Sequence, residues 1–338
     1  MKKQSVEMFR CPVDGGQVHL IESAEVSGDD IVKGVLVNRA GRKYEISDGL
    51  VDFTVIIDKE KNDYALTLFK EKALEYDKYQ HLSFETFYQN ERDVRNSIID
   101  KLFIQDNHKI LEVNAGTGRD SVLIHNRLAE NGVLHIQDIS PDMLAVCRGK
   151  FISKNKNVEF HRGNACRLPY DAGTFDGVYS FGGVGMNTYA ENRDALMEMT
   201  RVCKSGGRIV FGGLSLAPWL RNTSFGKILA NHNTHYLNII RLEDIPIAAR
   251  NVSLEWILEG AGFVMSFIVG EGEPRANFDY EIPGPRGGTL RTRFTGQLEG
   301  VSPEAKDLAQ RARAKLGVSM HQWIDKLIKC EAEKILKD

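Results

Sequence analysis

The stretch Lys109 to Ser121, KILEVNAGTGRDS, places a carboxylate, Glu112, just before a turn that holds Gly116 and Gly118. Glycine at such a turn lets the backbone approach a ligand that a side chain would block. A second carboxylate, Asp138, follows Gly118 by 138 − 118 = 20 residues, at the end of the apolar run Val133 to Gln137. A carboxylate at the tip of a second strand, at this distance from a glycine turn, meets a pair of ribose hydroxyls. Two features argue against a dinucleotide. Ser121 stands where the dinucleotide fingerprint has its third glycine or alanine. Glu112 would repel a pyrophosphate, whereas it suits a cationic amine.

These side chains need a strand, a turn and a helix to hold them. Ile110, Leu111 and Val113 read as a buried strand, and Val122, Leu123 and Leu128 return at helical spacing after the turn. Ser140-Pro141 opens the next helix, with serine as N-cap and proline at the first helical position. Strands are expected near 109–113, 133–138, 157–161, 174–180, 207–213 and 263–269, and helices near 119–130, 141–152, 189–202 and 252–260. This alternation predicts an α/β fold, a mainly parallel sheet with helices on both faces.

The segments ILEVNAGTG, HIQDISPDML, VEFHRGNACRLPYDAGTFDGVYS and RVCKSGGRIVFGG follow one another in order. Together they resemble the class I S-adenosylmethionine-dependent methyltransferases, of the small-molecule type near the ubiquinone and menaquinone methyltransferases. The resemblance covers about Ile98 to Gly270. It implies a Rossmann-like sheet of seven strands and S-adenosyl-L-methionine as cofactor, with S-adenosyl-L-homocysteine as product and no metal. Transfer would be an in-line displacement to an O, N or C atom of a small organic acceptor. Glu112 would hold the ammonium group, Asn114, Gly116 and Gly118 would face the amino-acid end, and Asp138 the ribose. Ile139, Met143, Asn164 and Ala165 would surround the adenine. Ser180 and Phe181 would lie beside the methionine moiety. Asn114 stands where the family turn opens with glycine; asparagine tolerates left-handed backbone angles better than most residues.

In the same family the segment before the first motif closes over the cofactor and lines the acceptor pocket. That makes Tyr76, Tyr79, His81 and Tyr88 candidates for the pocket. An insertion after the fifth strand, about 214–245, would form a lid carrying Trp219 and Tyr236. His232 and His235 in that lid, and then His81, are the candidate bases if the acceptor is a hydroxyl.

Composition sets the limits. Of 338 residues, 42% are hydrophobic and 27% charged, the profile of a globular chain, and a formal charge of −2 gives no general affinity for polyanions. The five cysteines are scattered, so neither a disulfide framework nor a paired zinc spacing can be built. We expect a cytoplasmic protein, monomer or homodimer, with no membrane partner and with nucleic acid unlikely. An RNA methyltransferase and a non-catalytic scaffold subunit are the rival readings. The first would need a basic, aromatic-laced face.

Four regions are expected. Residues 1–57 form a small β module whose strings CPVDGG and GRKYEISDGLVDF resemble the Trm112-like zinc ribbons. Only Cys11 keeps a ligand type there. Asp14, Val37 and Ala40 stand at the other cysteine positions, so a four-ligand site is lost. Residues 58–108 are a helical lead-in, 109–270 the core, and 271–338 a C-terminal extension. In that extension a strand is expected over 289–295, followed by helices opened by Ser302-Pro303 and by a Ser319/Gln322 capping box.

Overall fold

The computed structural model describes residues 1–337 apart from 22–24, 56–69, 71, 152–156, 184–188 and 296–301. The first part of the expected helical lead-in, residues 58–69, lies outside the described residues.

Ile110, Leu111 and Val113 have no exposed surface, because β6 (Lys109–Val113) runs through the middle of a sheet covered on both faces. Beside it lie β7 (Val133–Asp138), β8 (Asn157–Arg162), β9 (Phe175–Phe181) and β10 (Cys203–Leu214). These five strands are parallel, in the order β8-β7-β6-β9-β10. On one face pack α3 (Glu91–Asp100), α4 (Arg119–His125) and α5 (Pro141–Gly149), through Ile98, Ile99, Ile124, Leu144 and Cys147. On the other packs α6 (Tyr189–Val202), through Ala195, Leu196, Met199 and Val202. The helix starts follow the sequence: the Ser140 hydroxyl accepts from the Met143 amide, and Asn90 caps α3 in the same manner.

Two expectations about secondary structure are corrected. Residues 252–260, expected as a helix, contain most of strand β11 (Ala249–Ile257), which pairs antiparallel with β12 (Gly262–Val269) at the sheet edge. Val252, Leu254 and Trp256 alternate with Ser253 and Glu255, a period of two that suits an edge strand. Residues 289–295, expected as a strand, contain helix α8 (Leu290–Thr295), where the Thr289 hydroxyl accepts from the Thr292 amide.

The sheet itself is larger than seven strands. Among the described residues it has twelve, because the N-terminal strands continue it. These are β1 (Val18–Leu20), β2 (Glu25–Ser27), β3 (Asp30–Asn38), β4 (Lys43–Ser47) and β5 (Leu50–Asp52). β5 pairs parallel with β8, in the register Val51 to His161 and Asp52 to Arg162. Phe9 and Phe53, fully buried, join the core on the α6 face, with ring centroids 5.0 Å apart and Tyr170 5.4 Å from Phe9. The strands read from the sequence as a separate unit thus share a core with the central sheet.

Two short helices, α1 (Ala73–Tyr79) and α2 (Leu82–Glu85), precede α3. Between β10 and β11, helix α7 (Ser224–His232) and short 3-10 turns pack around Leu216, Leu229 and Tyr236. Residues 275–338 form a second compact unit containing α8, α9 (Pro303–Leu316) and α10 (Met320–Ile335). Ser302 caps α9, Gly317 ends it in a left-handed conformation, and the Ser319/Gln322 capping box is formed.

Candidate active site

The parallel strands bring Glu112, Asp138 and Ser180 to one end of the sheet, around the turn that joins β6 to α4. The backbone there is left-handed at Asn114, Gly116 and Gly118, with φ of 56°, 57° and 79°. The two glycines serve different ends. A Cβ on Gly118 would sit 2.2 Å from the Cys147 sulfur, so glycine is what lets α4 and α5 pack closely. A Cβ on Gly116 would meet nothing within 4 Å, so the turn is open at that point. Asn114 fits the turn: its amide donates to Gln137 Oε1 at 3.1 Å, and its side chain fills the space that a Cβ on Gly183 would take.

Asp138 faces this turn. Its Oδ2 accepts from the Gly116 amide at 2.7 Å and its Oδ1 from the Ser140 amide at 2.8 Å. Burial raises its pKa, while the donated N–H bonds oppose the rise. Each carboxylate oxygen has a further lone pair for a hydroxyl donor.

Glu112 is only 2% exposed, and its Oε2 has no hydrogen-bond partner. Burial first, and then the neighbouring Asp120 carboxylate, push its pKa well above the ordinary glutamate value. Ser180 Oγ, on β9, is also buried without a partner. Unpartnered polar atoms are costly in an interior, and here they gather beside an open turn. A buried carboxylate with a second carboxylate near it is suited to a cationic ligand.

Charged residues that the sequence did not single out secure the outside of this turn. Arg95 Nη1 donates to Asp120 Oδ2 at 2.6 Å, and Arg95 Nε donates to Glu91 Oε1 at 2.7 Å. Burial alone would lower the Arg95 pKa; Asp120 and Glu91 instead hold it above the usual arginine value. Arg119 pairs with Glu91 and also donates to the Asp77 carbonyl at 2.5 Å. Asp77, on α1, accepts from Thr117 Oγ1 at 2.7 Å and from Lys150 Nζ at 2.6 Å. The lead-in helices are therefore fastened to the glycine turn by ion pairs. In sequence such charges look like the solvated side of amphipathic helices; the Glu91/Arg95 spacing of four was the one local signal. A hollow of about 240 Å³ beside this network is walled by residues of α3 and α4 with Gly118 and Lys150, not by the strand ends.

The remaining expected residues fall in three places. Ile139, which follows Asp138, is half-buried, and Met143 and Ala165 are buried. The Asn164 side-chain oxygen accepts from the Cys166 amide at 2.9 Å, so it serves its own turn. Phe181, half-buried, has the Arg95 guanidinium 5.7 Å from its ring centroid. Tyr76 is 40% exposed, but its phenol end is turned towards Arg95 and Asp120, and burial raises its pKa. Tyr79 is exposed, with Lys78 Nζ 4.9 Å from its ring centroid. Tyr88 is fully exposed; with half-buried His81 it borders a hollow of about 450 Å³ along Glu85 to Arg92.

In the inserted segment, Trp219 is mostly exposed and meets Trp256 edge-on at 5.7 Å. Tyr236 is buried in the packing of that segment with Phe84, Phe87 and Leu229. His232 is exposed at the end of α7. His235 is half-buried, and burial lowers its pKa.

In the N-terminal strands, the Cys11 thiol lies 2.9 Å from the Tyr44 hydroxyl. The Asp14 carboxylate accepts from Asn38 Nδ2 at 2.9 and 3.1 Å, and Arg42 is 3.5 Å away. Among the described residues no group of three or more His, Cys, Asp or Glu could hold a metal ion, and no helix is long and apolar enough to cross a membrane.

Residues 110–207 match a family model described as a methyltransferase domain. Demethylmenaquinone methyltransferase of Shouchella clausii (strain KSM-K16) is 34% identical over 136 residues, which is 40% of this chain and 57% of that protein. The ubiquinone/menaquinone biosynthesis C-methyltransferase UbiE of Legionella pneumophila (strain Lens) is 26% identical over 174 residues, covering 47% of this chain and 68% of that one. The chain thus spans a little over half the length of the first curated relatives it matches. A solved structure of phosphoethanolamine N-methyltransferase 2 from Haemonchus contortus aligns with a TM-score of 0.47 at 12% identity, over 59% of each chain. The similarity to methyltransferases thus lies in the residues that carry Glu112, the glycine turn, Asp138 and Ser180.

Proposed function

We propose that this protein transfers a methyl group from S-adenosyl-L-methionine to a small organic acceptor. The observation that carries the reading is the pairing of Glu112 with the open turn at Gly116. A buried carboxylate whose Oε2 has no partner lies beside a stretch of backbone that a ligand can approach. It fits the α-ammonium group of an amino acid. Asp138, already anchored by two N–H groups, would accept from the ribose hydroxyls, with charge-assisted bonds. Ile139, Met143 and Ala165 supply apolar surface for a flat base, and Asn164 a polar edge.

When bound, the cofactor supplies a carbon activated by a sulfonium. The protein's own part is alignment and exclusion of water, which can reduce a barrier by about 7–11 kcal/mol. Arg95, Arg119 and Asp77 keep the lead-in helices on the turn, so the site has a fixed wall. The relatives are by name methyltransferases of quinone biosynthesis, one of them a C-methyltransferase, and this favours a ring carbon as acceptor. His235, whose neutral form burial favours, is the first candidate to take a proton, with His232 and His81 after it. The inserted segment 214–245, with Trp219, and the aromatic residues Tyr76, Tyr79 and Tyr88 would set acceptor choice.

Residues 1–57 are, in this reading, a module derived from a zinc ribbon. The contacts of Asp14 with Asn38 and Arg42 support it, since they join two loops that a metal would otherwise tie. The test is calorimetry with S-adenosyl-L-homocysteine, followed by transfer of labelled methyl to a demethylated naphthoquinol. Micromolar binding and methylated product are expected; no heat of binding would return the chain to the scaffold reading.

A further inference from the structure

We infer that Arg162 and Asp52 act as a positioning pair that holds the ribose-facing tip of β7, so that the N-terminal strands set cofactor affinity. This rests on the cofactor assignment proposed above and adds residues that do not touch the ligand.

Three strands stand side by side at this point. Asp52 on β5 is in register with Arg162 on β8, and Arg162 with Asp138 on β7. The Arg162 side chain reaches both ways. Its Nε donates to the carbonyl oxygen of Ile139 at 2.9 Å, and its Nη1 donates to Asp52 Oδ2 at 2.8 Å. Asp52 is itself held, since its Oδ1 accepts from the Thr54 amide at 2.8 Å. The backbone follows the same path: the Phe53 amide donates to the Arg162 carbonyl at 2.8 Å, and the Gly163 amide to the Asp138 carbonyl at 3.1 Å.

Ile139 lies between Asp138 and Ser140, the residue whose amide grips Asp138 Oδ1. Fixing the Ile139 carbonyl therefore fixes the peptide that aims the Asp138 carboxylate. Arg162 cannot do this alone. It is a long side chain, about a quarter exposed, and without Asp52 it would be free to turn outward. A guanidinium suits the task because its planar fork presents two donors in fixed directions. β5 thus reaches the site through one arginine.

The pair is tested with R162Q, R162K and D52S in the full chain. If the tip is competent for only a tenth of the time without the pair, the apparent Kd rises about tenfold. R162Q and D52S are expected to weaken S-adenosyl-L-homocysteine binding by about that factor in calorimetry, and R162K by less. KM for S-adenosyl-L-methionine should rise while kcat and the acceptor KM stay near the unsubstituted values. Should R162Q fail to fold, D52S carries the same readouts from the peripheral strand. Unchanged affinity in D52S would overturn the inference while leaving the cofactor assignment intact, and so would a parallel fall of kcat and melting temperature with no change in KM. An unsubstituted protein that binds no S-adenosyl-L-homocysteine would overturn the assignment itself, and the pair with it.

Discussion

The Gly116 amide donates to Asp138 Oδ2 at 2.7 Å, which ties the glycine turn after β6 to the tip of β7. The bond makes the two halves of the proposed cofactor site a single unit, so a change in Asp138 is felt in the turn. D138N puts an amide group where two N–H donors already point. It is expected to raise the Kd for S-adenosyl-L-homocysteine by about ten- to a hundredfold, given the usual worth of hydrogen bonds to a charged group. Calorimetry at constant ionic strength checks this, and equal affinity would remove Asp138 from the site.

Glu112 gives a prediction about pH. Burial and Asp120 raise its pKa well above the ordinary value, so its ionisation is disfavoured in the free protein and is favoured by a cationic ligand. Affinity for S-adenosyl-L-methionine should therefore climb with pH until Glu112 ionises unaided, with protons released to buffer. The folded form binds the extra proton, so stability contributed at this site falls as pH rises from the unfolded value through the raised one. E112Q should consequently melt higher than the parent at neutral pH, while its binding is weak and no longer pH-dependent. Proton release measured in two buffers of different ionisation heat decides the matter.

The two glycines should behave differently. G118A forces a methyl group to within 2.2 Å of the Cys147 sulfur, a clash of about 1–3 kcal/mol, and adds the left-handed backbone penalty of about 1–2 kcal/mol. C147G on that background should restore part of it by opening the space. G116A meets no neighbour and carries only the penalty of a left-handed backbone, about 1–2 kcal/mol. It should fold, yet bind cofactor poorly. Urea melts and calorimetry on the same samples separate the two effects.

Acid should attack the seam between the N-terminal strands and the central sheet. His135 and His161 are fully buried, and Tyr170 Oη lies 3.0 Å from one ring Nδ1 and 3.1 Å from the other. Burial lowers the His135 pKa to about 3 and takes His161 well below the usual range. The unfolded chain takes up protons at these rings first, so their contribution is whole above about pH 6.5 and is lost as pH falls towards about 3. Y170F leaves two ring nitrogens without a shared partner and should cost about 1–3 kcal/mol at pH 7. Denaturant midpoints across pH 4 to 8 would show a flat profile if these rings were solvated.

Removing Arg95 should be more damaging than its place on a helix suggests. R95M strands the Asp120 carboxylate, which is 4% exposed, and an unpaired buried charge costs about 3–5 kcal/mol. R95M/D120L, which removes both partners, should recover much of the loss. A double-mutant cycle by chemical denaturation gives the coupling directly.

Much of this protein could be read from residue order, because its informative features are local. The β6 turn announces itself through Gly116 and Gly118, the α5 start through Ser140-Pro141, and the α10 start through Ser319 and Gln322. Each is a contact between residues a few positions apart. Where a local pattern suited two structures, the reading failed. Leu254, Ile257 and Leu258 fit a helix until the pairing of β11 with β12 imposed a period of two. Thr289 to Thr295 were expected as a strand, yet a threonine cap and a short helix were available to the same residues.

What the residue order fixed by itself was the chemistry on offer: two carboxylates and two glycines, placed at strand ends by a two- and 3.6-residue periodicity. The tertiary structure decided which charges surround them and where the N-terminal strands pair. Arg95 meets Asp120 across 25 positions, and Arg162 meets Asp52 across 110. No short-range periodicity encodes such pairs. They exist because helix packing and parallel strand register bring distant side chains into hydrogen-bond range, and for the buried Arg95–Asp120 pair an unpaired charge would be too costly to keep.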